Sequence, residues 1–200
     1  MTIDRFYPIV PDIQWLKRIL PLGIKTVQLR IKNEADESVK NQINEAIKIS
    51  KGTDCQLIIN DFWQLAIECG ADFIHLGQED FAAADLNAIK KAGIKIGLSS
   101  HDRAELQTAI KAEPDYIALG PIFETKLKKM KWRPQGLDRI GVWKQEITCP
   151  LVAIGGLTVE NAPDVFKAGA DSLAVVTDII THNSPETRVK EWLHSTRLRR

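Results

Sequence analysis

The segment QLIINDFWQLAIECGADFIHLGQED, residues 56–80, decides how the chain folds. Residues 57–60 form a short apolar run that meets Asn60 and Asp61 at its end. A stretch of near-helical apolar spacing follows and stops at Gly70. A second apolar run, 73–76, then ends at GQED. Glycine takes the left-handed conformation that closes a helix without steric cost. The segment therefore reads as strand, helix, strand, with an acidic residue after each strand.

Working outward, the same pattern recurs. PLGIKTVQL, KAGIKIGLS and KAGADSLAV each place glycine at a helix stop, two or three residues before an apolar run. Strands are predicted at 6–10, 26–30, 57–60, 73–76, 95–99, 116–119, 151–154 and 172–176. Helical spacing, as in VKNQINEAIKI and AELQTAIKA, lies between them. Strands alternating with helices pair in parallel through right-handed crossovers. Eight such units in 200 residues, about 25 each, predict an α/β fold, a (β/α)8 TIM barrel. An open doubly wound sheet is the alternative. With no linker or low-complexity tract, residues 1–200 read as a single domain, with a core over about 6–195 and a short basic C-terminal tail, RLRR.

Composition narrows the function. A net charge of +1 offers no basic field for nucleic acid or an anionic membrane. No apolar run approaches the length of a membrane span, and MTIDRFYPIV lacks signal-peptide regions, so a cytoplasmic protein is expected. Cys55, Cys69 and Cys149 have neither a disulfide framework nor zinc spacing and read as reduced thiols. Assembly into a homo-oligomer stays open.

In such a barrel the active site sits at the C-terminal ends of the strands. TVQLRIK alternates strictly, so Gln28, Arg30 and Lys32 point into the barrel mouth while Val27, Leu29 and Ile31 meet the helices. A solvated edge strand would alternate in the same way. Two cations and an amide suit an anionic ligand, since arginine grips phosphate oxygens bidentately. Asp61 and Asp80 follow neighbouring strands, about 4.8 Å apart, and suit a Mg2+ shared with phosphate oxygens. Gly97, Ala118, Gly120, Ala153, Gly155 and Ala174 read as small inner residues that leave a cavity; close packing is the other reading. Gly155-Gly156 after strand seven, with AVVTD ending strand eight, lies where many such barrels bind phosphate. His75 reads as a hydrogen-bonded core histidine and His101 as a loop residue. The loop 120–137 carries Lys126, Lys128, Lys129, Lys131 and Arg133. It is either a solvated face or a lid over phosphate. No Ser/His/Asp set is present, which points to charge neutralisation rather than a protein nucleophile.

VQLRIK, INDFWQLAIECGADFIHLGQED, IGLSSH, GPIFETKLKK, PQGL, VAIGG and AVVTDI, in that order, resemble the thiamine-phosphate synthase family over about residues 6–179. The resemblance implies a transferase of thiamine biosynthesis. It would couple 4-amino-2-methyl-5-hydroxymethylpyrimidine diphosphate with 4-methyl-5-(2-phosphoethyl)thiazole, with Mg2+, through a pyrimidine-methyl cation. It implies that Gln28 and Arg30 contact the pyrimidine substrate, and that Arg30, Lys32 and Asn60 contact its diphosphate. Asp61 and Asp80 would hold Mg2+. Ser99 would face the diphosphate and the reacting carbon, and Thr125 and Lys128 belong to the loop after strand six. Gly155, Gly156, Val176 and Thr177 would hold the thiazole phosphate. Arg30, Lys32, Ser99 and Lys128 would be the catalytic residues. The chain departs from the family pattern at Glu124, where proline is usual, at Leu127, where a second threonine is usual, and at Thr177, where serine is usual. A thiazole tautomerase-like relative and a non-catalytic phosphate-binding barrel are the alternatives.

Overall fold

The computed structural model describes residues 3–125 and 132–197. Its strands are β1 (Phe6–Val10), β2 (Thr26–Leu29), β3 (Gln56–Asn60), β4 (Phe73–Leu76), β5 (Lys95–Ser100), β6 (Tyr116–Leu119), β7 (Leu151–Ile154) and β8 (Ser172–Val175). Each pairs in parallel with the next, and β8 pairs with β1, so the ring closes. Helices alternate with the strands: α1 (Ile13–Ile19), α2 (Asp36–Ser50), α3 (Trp63–Cys69), α4 (Gln78–Ala83), α5 (Leu86–Lys91), α6 (Arg103–Ala112), α7 (Gly136–Glu146), α8 (Ala162–Lys167), α9 (Thr177–Ile180) and α10 (Pro185–Arg197). The expected (β/α)8 barrel is therefore the fold. Among the described residues no helix is long and apolar enough to cross a membrane.

Local chemistry sets the element ends. Asp12 and Asp102 cap α1 and α6, their carboxylates accepting from the backbone N–H groups of Trp15 and Glu105. Gly70 ends α3 at φ +70°, a left-handed conformation that other residues adopt only with strain. Along α2, Val39, Ile43 and Ala46 are buried, a spacing that keeps one stripe against the sheet.

Burial separates into two cores. The larger lies between strands and helices and holds Val27, Leu29, Ile59, Leu98, Leu119, Ala153 and Leu173. The smaller fills the inside of the ring with Tyr7, Ile9, Ile58, Phe73, Tyr116, Ala118, Val152 and Ala174. Strand two divides as its alternation predicts. Two expectations need correction. Ala153 packs outward, and Val152 and Ile154 are the inner residues of β7. β7 is apolar on both faces, as buried parallel strands are, so its sequence does not mark the inner side. Gly97 does face inward, yet it opens no space. A Cβ there would lie 2.1 Å from Tyr116 Cζ, because the tyrosine ring from the adjacent strand occupies that volume.

Candidate active site

One cavity of about 310 Å³ opens at the C-terminal ends of the strands. Gln28, Arg30, Lys32, Asn60, Asp61, Asp80, Ser99, Thr125, Gly155, Gly156, Val176 and Thr177 all line it. The structure thus gathers every candidate site residue it describes. Lys128, together with Leu127, lies outside the described residues.

Gln28 belongs to β2 and is almost fully buried. Beyond the strand, the Arg30 N–H still donates to the Val10 carbonyl at 2.8 Å, which carries the inward alternation to the rim. β3 delivers Asn60, which is 4 % exposed, and its Nδ2 has no hydrogen-bond partner. A buried donor without a partner is costly; here it borders the cavity, where a ligand acceptor can complete it.

Asp61 turns the chain at φ +66°, a left-handed conformation that aspartate tolerates better than most residues. Its N–H donates to the His75 carbonyl at 2.9 Å, fixing this corner against β4. Its carboxylate pairs with the Lys32 ammonium. Asp80 comes from the first turn of α4, one turn into a helix and not from a loop. Desolvation raises its pKa above the usual carboxylate range, and the charge of Asp61 and a hydrogen bond to it push the same way. An acid whose proton affinity is raised by a neighbouring carboxylate marks a site that a cation would relieve. Among the described residues no group of three or more His, Cys, Asp or Glu side chains has metal-binding geometry. A magnesium ion held by one or two carboxylates and completed by phosphate oxygens fits this donor set.

Across the ring, Gly155 and Gly156 have φ of +98° and +67°. A Cβ on Gly155 would stand 2.6 Å from Pro121 Cβ, and one on Gly156 2.5 Å from the Glu124 carbonyl oxygen. The glycines let the loops after β6 and β7 press together, so close packing is part of their role. They also leave backbone facing the cavity beside Val176 and Thr177. Glu124 is exposed and does not line the cavity. The base of the loop after β6 is closed by Gln135 N–H to the Pro121 carbonyl, 2.7 Å, and Gly136 N–H to the Ile122 carbonyl, 3.0 Å.

Sequence reasoning missed the floor of the cavity. Tyr7, Ile9, Tyr116, Val152 and Ile154 form much of it; no motif marks Tyr7, Ile9 or Tyr116, and VAIGG covers Val152 and Ile154 without singling them out. His75 is the hydrogen-bonded histidine expected, but it also borders the cavity. Its Nε2 lies 2.9 Å from Ser99 Oγ and its Nδ1 2.7 Å from Tyr116 Oη. Burial pulls its pKa down to about 4, so it is neutral at pH 7. His101 lines the rim, hydrogen-bonds Glu105 at 2.7 Å and stacks on Trp132 at 4.1 Å between ring centres.

A family model described as thiamine monophosphate synthase matches residues 6–179. The thiamine-phosphate synthase of Rhizobium etli is 54% identical, over 98% of this chain and 97% of that protein. The thiamine-phosphate synthase of Citrobacter koseri is 42% identical, over 95% of this chain and 87% of that protein. A solved structure, thiamine phosphate pyrophosphorylase from Pyrococcus furiosus, superposes with a TM-score of 0.86 at 24% identity and covers 98% of this chain and 96% of that one; it bears on the fold alone. The chain belongs to the thiamine monophosphate synthase family and is a transferase of that family.

Proposed function

We propose that this chain joins 4-amino-2-methyl-5-hydroxymethylpyrimidine diphosphate to 4-methyl-5-(2-phosphoethyl)thiazole, releasing diphosphate and forming thiamine phosphate. The observation that carries this reading is the convergence of Arg30, Lys32, the unpartnered amide of Asn60 and the Asp61–Asp80 pair on one side of a single cavity. That set suits a diphosphate and its counter-ion. In a closed ring β3 stands opposite β7. The backbone at Gly155 and Gly156, with Val176 and Thr177, would take a second phosphate, that of the thiazole.

Departure of diphosphate leaves a cation on the pyrimidine methylene, which the amino-substituted ring stabilises. The thiazole nitrogen attacks that carbon, so no protein nucleophile is needed. Arg30 and Lys32 stabilise the charge that grows on the leaving oxygens, and Gln28 holds the pyrimidine. Asp61 and Asp80 would hold Mg2+, which when bound neutralises diphosphate charge. Holding both substrates in one cavity replaces a bimolecular encounter by an oriented one.

Purified protein incubated with both substrates and Mg2+ tests the reading. Thiamine phosphate should form, cease with EDTA and return with added Mg2+. Conversion of the thiazole without coupling, or binding without turnover, refutes it.

A further inference from the structure

Five side chains inside the barrel form an unbroken hydrogen-bonded chain from β2 to the cavity. Gln28 Nε2 lies 2.7 Å from Tyr7 Oη, Tyr7 Oη 3.0 Å from Tyr116 Oη, Tyr116 Oη 2.7 Å from His75 Nδ1, and His75 Nε2 2.9 Å from Ser99 Oγ. Tyr7 and Tyr116 are about 1% exposed or less and His75 is 8% exposed. The residues come from β1, β2, β4, β5 and β6, so the chain spans most of the ring.

Proton counting gives this chain a direction. The amide nitrogen of Gln28 only donates. Tyr7 Oη therefore accepts from it and must place its own proton on Tyr116 Oη, its other partner. Tyr116 in turn donates to His75 Nδ1. The imidazole then carries its one proton on Nε2 and donates to Ser99 Oγ. The Ser99 hydroxyl proton has no acceptor within the chain, and Ser99 lines the cavity. The opposite direction would leave the Tyr7 proton buried and unpaired, a costly arrangement.

We propose that Tyr7, Tyr116 and His75 are positioning residues: with Gln28 they turn the Ser99 hydroxyl into an obligatory donor to an oxygen of the diphosphate. No bond to the substrate is made or broken by the three; they set which way one proton points. The proposal rests on the reading of this cavity as a diphosphate site.

The test needs no turnover. NMR of the whole 15N-histidine-labelled protein reads the His75 tautomer, with its signal assigned as the one absent in His75→Gln. The wild type should show the Nε2–H form. Gln28→Glu supplies an acceptor at the start of the chain and should reverse it, giving the Nδ1–H form. Calorimetric titration with inorganic diphosphate and Mg2+ reads the Ser99 end. Ser99→Ala should weaken binding on the order of tenfold, the worth of one hydrogen bond to a charged group. Tyr116→Phe should weaken it too, and the double variant should bind no worse than Ser99→Ala alone. An Nδ1–H form in the wild type overturns the chain's direction, whatever the activity. Additive losses in the double variant overturn the route through Ser99. A wild type that binds no diphosphate overturns the diphosphate site and the Ser99 role together, while the tautomer still judges the direction separately.

Discussion

Gly97→Ala puts a methyl group where the ring of Tyr116 now lies. The new Cβ would stand 2.1 Å from Tyr116 Cζ, 2.2 Å from Cε1 and 2.6 Å from Oη, whereas ordinary contact begins at 3.4 Å, 1.3 Å farther from Cζ. The ring is fully buried and packs against Phe73, Tyr7 and His75, so moving it costs those contacts. Overpacking of this kind costs about 1–3 kcal/mol. A displaced ring also breaks the contacts of Tyr116 Oη with Tyr7 and with His75, and each buried polar group left unpaired adds about 1–3 kcal/mol. With one such group left unpaired the total is about 2–6 kcal/mol. At about 2–4 °C per kcal/mol for a chain of this size, scanning calorimetry should find Tm lower by about 4–24 °C. Gly141→Ala is the matched control: the added Cβ meets only the Ala168 carbonyl oxygen at 3.7 Å, inside α7. It should raise stability by about 0.5–1 kcal/mol through helix propensity. A Gly97→Ala protein as stable as the wild type would refute the tight packing of the barrel floor from which the number is built.

Arg30→Ala should lower coupling activity at least about 10²-fold in a steady-state assay, comparable to losing one transition-state donor, with far-UV circular dichroism unchanged. Asp80→Asn should abolish metal-dependent coupling yet raise Tm at pH 7 in EDTA. The sign follows from the raised pKa of Asp80: its ionised form, present above that pKa, opposes folding beside Asp61, and asparagine removes that opposition. The gain should shrink as pH falls and the wild-type carboxyl protonates. Arg188→Met should cost about 3–5 kcal/mol in urea unfolding, because it strands Asp178. Arg188, 9% exposed, binds the Asp178 carboxylate through Nε and Nη2, while Trp192 Nε1 donates to the same acid.

How much of this was legible depends on which face of a strand carried chemistry. β2 must present polar groups to a ligand and apolar groups to helices, so Thr26 through Lys32 alternate and the inward set reads directly from the sequence. The strand ends at Asn60, Asp61 and Ser99 are legible for the same reason: polar residues that close a buried run need a purpose at the rim. β1 and β7 offer no such contrast, being apolar on both faces, so the expectation of an inward Ala153 fails and Val152 and Ile154 face inward instead. Gly97 shows a deeper limit. Its size is explained by Tyr116, 19 positions on, and becomes visible only once β5 and β6 are in register, with Gly97 opposite Tyr116.

Tyr7 and Tyr116 illustrate why part of the cavity floor escapes motif reading. Their hydroxyls meet at 3.0 Å across 109 residues of sequence. Neither hydroxyl has a polar neighbour in its own strand: FYPIV and YIAL look like plain core. What gives them a role is closure of the ring, which brings inward side chains of separate strands into one layer. A phenol in such a layer must find a partner or incur the cost of an unpaired buried hydroxyl. Tyr7, Tyr116 and His75 satisfy one another, and Gln28 and Ser99 complete the two ends. The same demand for pairing that stabilises the floor therefore sets the direction of the hydroxyl at its rim. Core and site are here one network, built by the barrel's closure rather than by any local stretch of the chain.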